Sequence, residues 1–156
     1  MAENLRVRRS QLGREAPRVL EAVQRGEIAL VEDDGKAEAA ILDIVDYRLL
    51  RAFARYHTKP EEFDLSLDPT DQRFAGLDEQ GLYDLVMAYY QAPDIDQAIS
   101  LGRMAELLGR PMIEIQLRCA RLGIKLWLGP LTVEEARAEI EVAAAIGREA
   151  RARRCR

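Results

Sequence analysis

The sequence is poor in the side chains that most catalytic and metal sites use. Its 156 residues include one histidine, His57, and two cysteines, Cys119 and Cys155, which form no CxxC pair. A histidine-based catalytic or metal cluster therefore lacks a second member, and neither a zinc site nor a disulfide framework is predicted. A Gly-rich phosphate-binding loop is also missing from the sequence. We predict a protein that is not an enzyme, with no metal ion and no cofactor.

Long hydrophobic runs are missing as well. No stretch approaches the roughly 18 consecutive apolar residues that a membrane helix needs. The first residues, Met-Ala-Glu-Asn-Leu-Arg, lack the apolar segment of a signal peptide. Hydrophobic residues still make up 48% of the chain and charged residues 32%, which is enough for a buried core. These features predict a cytoplasmic protein with no membrane partner.

Charge is distributed unevenly along the chain, whose net charge is −4. By residue count, residues 1–60 carry a net charge of +1, residues 61–100 carry −9, and residues 101–156 carry +4. This pattern predicts three parts, an acidic middle between two mildly basic ends. We place the first part at 1–57, an acidic linker at 58–80, and the last part at 81–156.

The first part of the chain has the pattern of a small β-α-β-β-α domain. Alternating apolar and basic residues at 4–8 predict a strand, and Ser10 is placed to cap the helix that follows. An apolar stripe runs through that helix to Gly26, although Pro17 predicts a kink or a split in it. Asp34-Gly35 then indicates a hairpin between two short strands, and Asp43 is placed to cap the helix that follows them. The overall prediction is an α+β fold.

The second part of the chain has the pattern of a mainly α domain. Ser100 is placed to cap a short helix that ends near Gly109. Pro111 opens another helix that reaches Leu122, with Gly123 at its C-terminal cap. Helix, short turn and helix is the outline of a helix-turn-helix. Thr132-Val-Glu-Glu is a capping box that starts a last helix, and the basic tail 148–156 follows.

Residues 5–56 resemble the Phd/YefM family of antitoxins. The resemblance depends on the short N-terminal strand, the helix ending in Leu-Glu-Ala-Val-Gln-Arg-Gly26, the turn Asp34-Gly35-Lys36, and Tyr47 in the next helix. It implies a homodimer, or a higher oligomer, whose paired N-terminal domains bind operator DNA. It also implies a cognate toxin as a protein partner.

Residues 82–145 are similar to a second family, small antitoxin-like proteins with a helix-turn-helix that are found beside PIN-domain ribonuclease toxins. The similar segments are 99–109, 121–124 and 132–136. This resemblance implies the architecture of the region and suggests a ribonuclease, of the PIN type or another, as the toxin.

Basic residues near the start of the chain are the first candidates for DNA binding. Residues 1–25 hold six basic and three acidic side chains, and contacts to phosphate need dense positive charge. The second candidate is the helix 111–122, where polar side chains cluster on one face but Glu114 would repel phosphate. Packing or dimerisation is therefore an equal alternative for that helix. The predicted DNA-binding residues are Arg6, Arg8, Arg9, Ser10, Arg14, Arg18, Arg110, Arg118 and Arg121.

The acidic segment 61–80 is a candidate for toxin binding. Its carboxylates, with apolar anchors between them, could occupy the RNA-binding cleft of a ribonuclease, and a solvated linker is an equal alternative. The predicted toxin-binding residues are Glu61, Glu62, Phe63, Asp64, Leu65 and Leu67. The leading prediction is therefore an antitoxin that neutralises a toxin and represses its own operon. The alternative is an interaction or oligomerisation module that does not bind DNA.

Overall fold

The computed structural model describes residues 4–94 and 96–127, and the fold is α+β, as predicted. The chain divides into two units, Met1–Leu126 and Trp127–Arg156. The account that follows concerns the first unit. The helix predicted from Thr132 and the basic tail 148–156 lie outside the described residues.

A three-stranded sheet occupies the N-terminal part of this unit. Its strands are β1 (Leu5–Arg8), β2 (Ala29–Asp33) and β3 (Lys36–Ile41), in the order β1-β2-β3. β1 pairs with β2 in parallel, and β2 pairs with β3 antiparallel. Asp34 and Gly35 have φ angles of 47° and 76°, which confirms the predicted hairpin because both central residues of a type I′ turn need positive φ.

Helix α1 (Leu12–Gln24) connects β1 to β2 and covers one face of these strands. A small apolar cluster forms there from Val7, Val19, Val23 and Ala29. The expected cap of α1 is wrong, and the helix is not split. Ser10 does not cap it, because a 3-10 turn at Arg9–Gln11 leads directly into the helix and Gln11 takes the capping position. Pro17 lies inside the helix without splitting it.

The rest of the unit is helical. Helix α2 (Ile44–Thr58) is followed by the short α3 (Asp71–Phe74), then α4 (Glu79–Tyr90), α5 (Leu101–Leu107) and α6 (Met112–Leu122). The Ser100 side chain accepts a hydrogen bond from the backbone N–H of Arg103 at 3.1 Å, as predicted for a cap. Gly123 ends α6 with a φ of 72°, which is also as predicted.

The main core lies among these helices and includes α2. Val45, Leu49 and Ala52 of α2 are buried in one cluster with residues of α4, α5 and α6. The predicted boundary at residue 57 is therefore wrong as a division between cores, since α2 supplies part of the helical core. The resemblance over residues 5–56 includes this helix in the N-terminal domain, but its buried stripe faces α4.

The segment 58–80 was predicted to be a linker, and the structure corrects this. Residues Pro60–Glu62 form a 3-10 turn, and Phe74 of α3 is buried in the helical core. Leu65 packs against the same core, and the Tyr89 hydroxyl donates a hydrogen bond of 2.8 Å to the Leu67 carbonyl. The scattered apolar residues of this segment are what hold it against the helices.

Candidate functional site

The arginines at the junction of β1 and α1 form the first candidate surface. We name Arg6, Arg8, Arg9, Arg14 and Arg18 the arginine edge, and all five are exposed. Side chains alternate along a strand, so Arg6 and Arg8 point away from the face on which Val7 is buried. Arg9 and Ser10 lie in the 3-10 turn that follows, and Ser10 is exposed too.

Acidic side chains neutralise part of the arginine edge. Arg6 pairs with Glu32 on β2, and the Arg9 Nη1 atom lies 3.5 Å from a carboxylate oxygen of Glu38 on β3. The Arg9 Nη1 atom also lies 3.7 Å from a carboxylate oxygen of Asp33.

Arg18 pairs with Glu15 one turn before it in α1, at 3.1 Å. Among the described residues, Arg8 and Arg14 take part in no ion pair. Exposed ion pairs contribute only roughly 0–1 kcal/mol, so a phosphate could displace the carboxylate partners of the other arginines. Arg8 and Arg14 have no such partner to exchange and are therefore the members most available to a phosphate.

The arginines of α6, for which DNA contact and packing are equal alternatives in the sequence, pack against their own chain in the structure. The Arg118 side chain is 13% exposed, and its Nη1 atom donates to Asp46 at 2.7 Å and to Asp43 at 2.9 Å. The Arg121 side chain is 20% exposed and donates to the other oxygen of Asp46 at 2.7 Å. Both point towards α2, because a buried carboxylate there requires compensation.

Charges around these arginines stay paired. Arg110 and Arg118 both lie within ion-pair distance of Glu114, at 3.3 Å and 2.8 Å. Burial lowers the pKa of Arg118, but its hydrogen bonds with Asp46 and Glu114 outweigh that effect and leave the pKa raised. In the structure the guanidinium groups of Arg118 and Arg121 therefore bind carboxylates of their own chain, and both side chains are largely buried.

The outward side of α6 is apolar instead. Met112, Ile113 and Leu117 are 48%, 60% and 61% exposed. We name these three residues the α6 apolar face. The charged residues of α6 are turned inward, so this face carries no charge of its own. Interfaces between proteins have cores depleted of charge, and large exposed apolar patches mark such sites, whereas a DNA-reading helix presents polar side chains.

The residues predicted to bind a toxin lie against their own chain. Glu62 accepts hydrogen bonds from Lys59 and Arg55, each at 2.9 Å, and these lower its pKa. The ring of Phe63 lies 5.9 Å from that of Tyr56, between centroids.

Asp64 accepts hydrogen bonds from the hydroxyl and the backbone N–H of Ser66, which lower its pKa. Leu65 packs on the helical core, whereas Glu61 and Leu67 are exposed. Occupying a toxin cleft with this segment would therefore require it to leave these partners.

Sequence reasoning missed Asp46 and a second apolar surface on α2. Asp46 was not singled out, although it falls three residues before the buried Leu49 and so on the inward side of an amphipathic helix. Ile44, Tyr47 and Leu50 lie on the opposite side of α2 and are 55%, 44% and 41% exposed. Their spacing of three residues was the available signal for that surface.

Cys119 is not a reactive thiol in this structure. Cys119 is buried, and burial, with the charge of Asp46 adding to it, raises the pKa of its thiol to about 11. A thiol with such a pKa is almost fully protonated near neutral pH and is a poor nucleophile. Cys155 lies outside the described residues. Within the described ranges no group of three or more His, Cys, Asp or Glu side chains could hold a metal ion, and no helix could span a membrane.

Comparison of the chain with known protein families, with curated proteins and with solved structures finds no match to any of them.

Proposed function

We propose that this chain is the antitoxin of a type II toxin-antitoxin system, which binds operator DNA, represses its own operon and neutralises a ribonuclease toxin in the cytoplasm. The observation that supports DNA binding is the exposure of Arg8 and Arg14 at one junction of strand and helix, where neither has an ion pair with any residue that the structure describes. That junction belongs to a β-α-β-β module with the order of elements expected from the Phd/YefM resemblance.

Pairing of two chains would strengthen this surface. One arginine edge offers two unpaired guanidinium groups, and a homodimer offers four. Each phosphate that is neutralised releases condensed counterions, so affinity for DNA increases steeply with the number of such groups. The exposed apolar side chains Ile44, Tyr47 and Leu50 on α2 support self-association, because water-exposed apolar stripes are commonly covered by a partner.

The α6 apolar face supports a protein partner for the helical part of the chain. We expect Ile113→Lys/Leu117→Lys to abolish toxin neutralisation in a growth-rescue assay, because two desolvated charges would replace the apolar contact. The circular dichroism spectrum should match that of the wild type, and the affinity for DNA should stay within twofold of it, since both side chains are exposed. Leu77→Lys, at a leucine that is 42% exposed on another surface, is the matched control and should neutralise the toxin normally. Equal neutralisation by all three proteins would exclude this face.

The antitoxin half is tested by co-expression with the neighbouring gene of the operon. Expression of that gene alone should arrest growth, and co-expression of this chain should restore it. A chain lacking residues 60–72 separates the two candidate toxin-binding surfaces. The deletion removes the apolar anchors Phe63, Leu65 and Leu67 but leaves the α6 apolar face in place. Rescue of growth by the deletion variant would therefore exclude the acidic segment as the toxin-binding surface. Normal growth of cells that express the neighbouring gene without this chain would contradict the proposal.

A second candidate function is an interaction module that uses the helix-turn-helix only for packing and does not bind DNA. The inward direction of Arg118 and Arg121 favours it, because these are the arginines that a reading helix would have used. Electrophoretic mobility of the DNA upstream of the gene distinguishes the two functions. A shift at low salt that disappears as salt increases supports the antitoxin, and no shift at low salt supports the second candidate.

A further inference from the structure

Strand β3 contains a β-bulge at Glu38. Along β2, Val31 is opposite Ala39 of β3. The next residue of β2, Glu32, is opposite Ala37, which leaves Glu38 as an extra residue in β3. In a regular ladder Glu38 would lie directly opposite Glu32, and like charges in such a pair destabilise a sheet. The bulge therefore separates these two carboxylates.

Each of the separated carboxylates pairs with a different member of the arginine edge. Glu32 pairs with Arg6, and the Glu32 side chain is only 17% exposed. A carboxylate oxygen of Glu38 lies 3.5 Å from the Nη1 atom of Arg9, and one of Asp33, at the end of β2, lies 3.7 Å from the same atom. The side chains of Arg9, Asp33 and Glu38 are 68%, 50% and 51% exposed. A phosphate can therefore reach the Arg9 guanidinium group, but two carboxylates already hold it.

Packing does not explain the bulge. All residues from Lys36 to Ala40 are exposed, and among the described elements only β2 packs extensively against β3. The ion pairs of Arg9 are exposed, and such pairs contribute little to stability. Bulges are frequent beside functional sites, where they redirect a side chain. The visible result of this bulge is a carboxylate that faces the arginine edge.

We propose that Glu38, together with Asp33, competes with the phosphates of DNA for Arg9 and so limits the affinity of the arginine edge for any duplex. This inference rests on the proposed binding of DNA by that edge. Carboxylate and phosphate bind a guanidinium group through the same kind of charge-assisted hydrogen bond, so Arg9 reaches a phosphate only by leaving its two carboxylates. Phosphate contacts carry no sequence information, and the competition therefore acts on the sequence-independent part of binding.

Removing both carboxylates tests the competition. Asp33→Asn/Glu38→Gln keeps the two side chains near their native size, and the circular dichroism spectrum should match that of the wild type because both are exposed. We expect the affinity of a homodimer for duplex DNA to rise about 3- to 10-fold at low salt. The slope of log affinity against log salt should become steeper by about 1 to 2, since Arg9 of each chain adds a phosphate contact. A labelled upstream duplex and one of scrambled sequence should gain to a similar degree.

Asp71→Asn/Glu106→Gln is the matched control. Arg103 likewise pairs with two exposed carboxylates, those of Asp71 on α3 and Glu106 on α5. This variant removes the same amount of negative charge, but outside the arginine edge, and should change the affinity less than about twofold. Equal gains in the two variants would show that only net charge matters and would overturn the proposal.

A double-mutant cycle with Arg9→Gln shows whether the carboxylates act through Arg9. In the Arg9→Gln background, Asp33→Asn/Glu38→Gln should change the affinity less than about twofold. A full gain in that background would mean that the carboxylates only repel DNA, and it would overturn the proposal. So would a wild type that binds DNA with an affinity that Asp33→Asn/Glu38→Gln leaves unchanged. Absence of binding by every one of these proteins at low salt would contradict the proposed function and this inference together.

Discussion

Arg8→Ala/Arg14→Ala should weaken binding to the DNA upstream of the gene by roughly 10- to 100-fold at low salt, while the fold is retained. Each arginine supplies one guanidinium group that has no ion pair within residues 4–94 and 96–127, and a homodimer would lose four. Because each phosphate contact contributes about −0.9 to the slope of log affinity against log salt, we expect the slope to become less steep by about 3 to 4. Fluorescence anisotropy with a labelled duplex measures both quantities.

Arg51→Ala is the control for that experiment. Arg51 is exposed on α2 and, like Arg8 and Arg14, has no ion pair among the described residues, but it lies outside the arginine edge. Its loss should change the affinity by less than about threefold. Equal losses in both variants would indicate a diffuse electrostatic attraction. An unchanged affinity after the double substitution would remove the arginine edge from the account.

Leu49→Ala should lower the free energy of unfolding by about 2–5 kcal/mol. Leu49 is fully buried where α2 meets the helical core, so truncation leaves a cavity in close-packed surroundings. Urea unfolding followed by circular dichroism measures the loss. A loss of this size requires α2 to be part of the helical core rather than of an independent domain at 1–57.

The neighbouring residue gives the control for Leu49. Leu50 is 41% exposed on the other side of α2, and Leu50→Ala should cost less than about 1 kcal/mol in a monomer. The measurement is made at several protein concentrations, because Leu50 lies on the surface proposed for self-association. If Leu50→Ala lowered the free energy of unfolding more than Leu49→Ala, it would contradict the assignment of Leu49 to the buried side of α2 and of Leu50 to the exposed side.

Local signals in the sequence were enough to predict the turns and caps. The positive φ angles at Asp34-Gly35, the Ser100 cap and the glycine at 123 each follow from a few adjacent residues. Asp43 likewise caps α2 as expected, accepting a hydrogen bond from the Val45 N–H at 2.9 Å. Such features need no knowledge of distant parts of the chain, and so they are predictable.

Long-range contacts explain what could not be predicted. Arg118 and Arg121 have the spacing of a polar helix face, and only the position of Asp46, more than 70 residues away, turns that face inward. α2 has apolar residues on two sides, so its sequence alone does not decide which side faces α4. The segment 58–80 shows no periodicity, yet Phe74 and Leu65 anchor it to the core. In each case the deciding partner is distant in sequence.

The salt dependence of DNA binding by this chain tests the central claim most directly. After sedimentation has established that the protein is at least dimeric at the working concentration, its affinity for the upstream duplex is measured over a range of salt concentrations. Four available arginines predict a slope of log affinity against log salt of about −4 or steeper. A monomeric protein that binds weakly, with a slope near zero, would contradict a paired, arginine-edged surface.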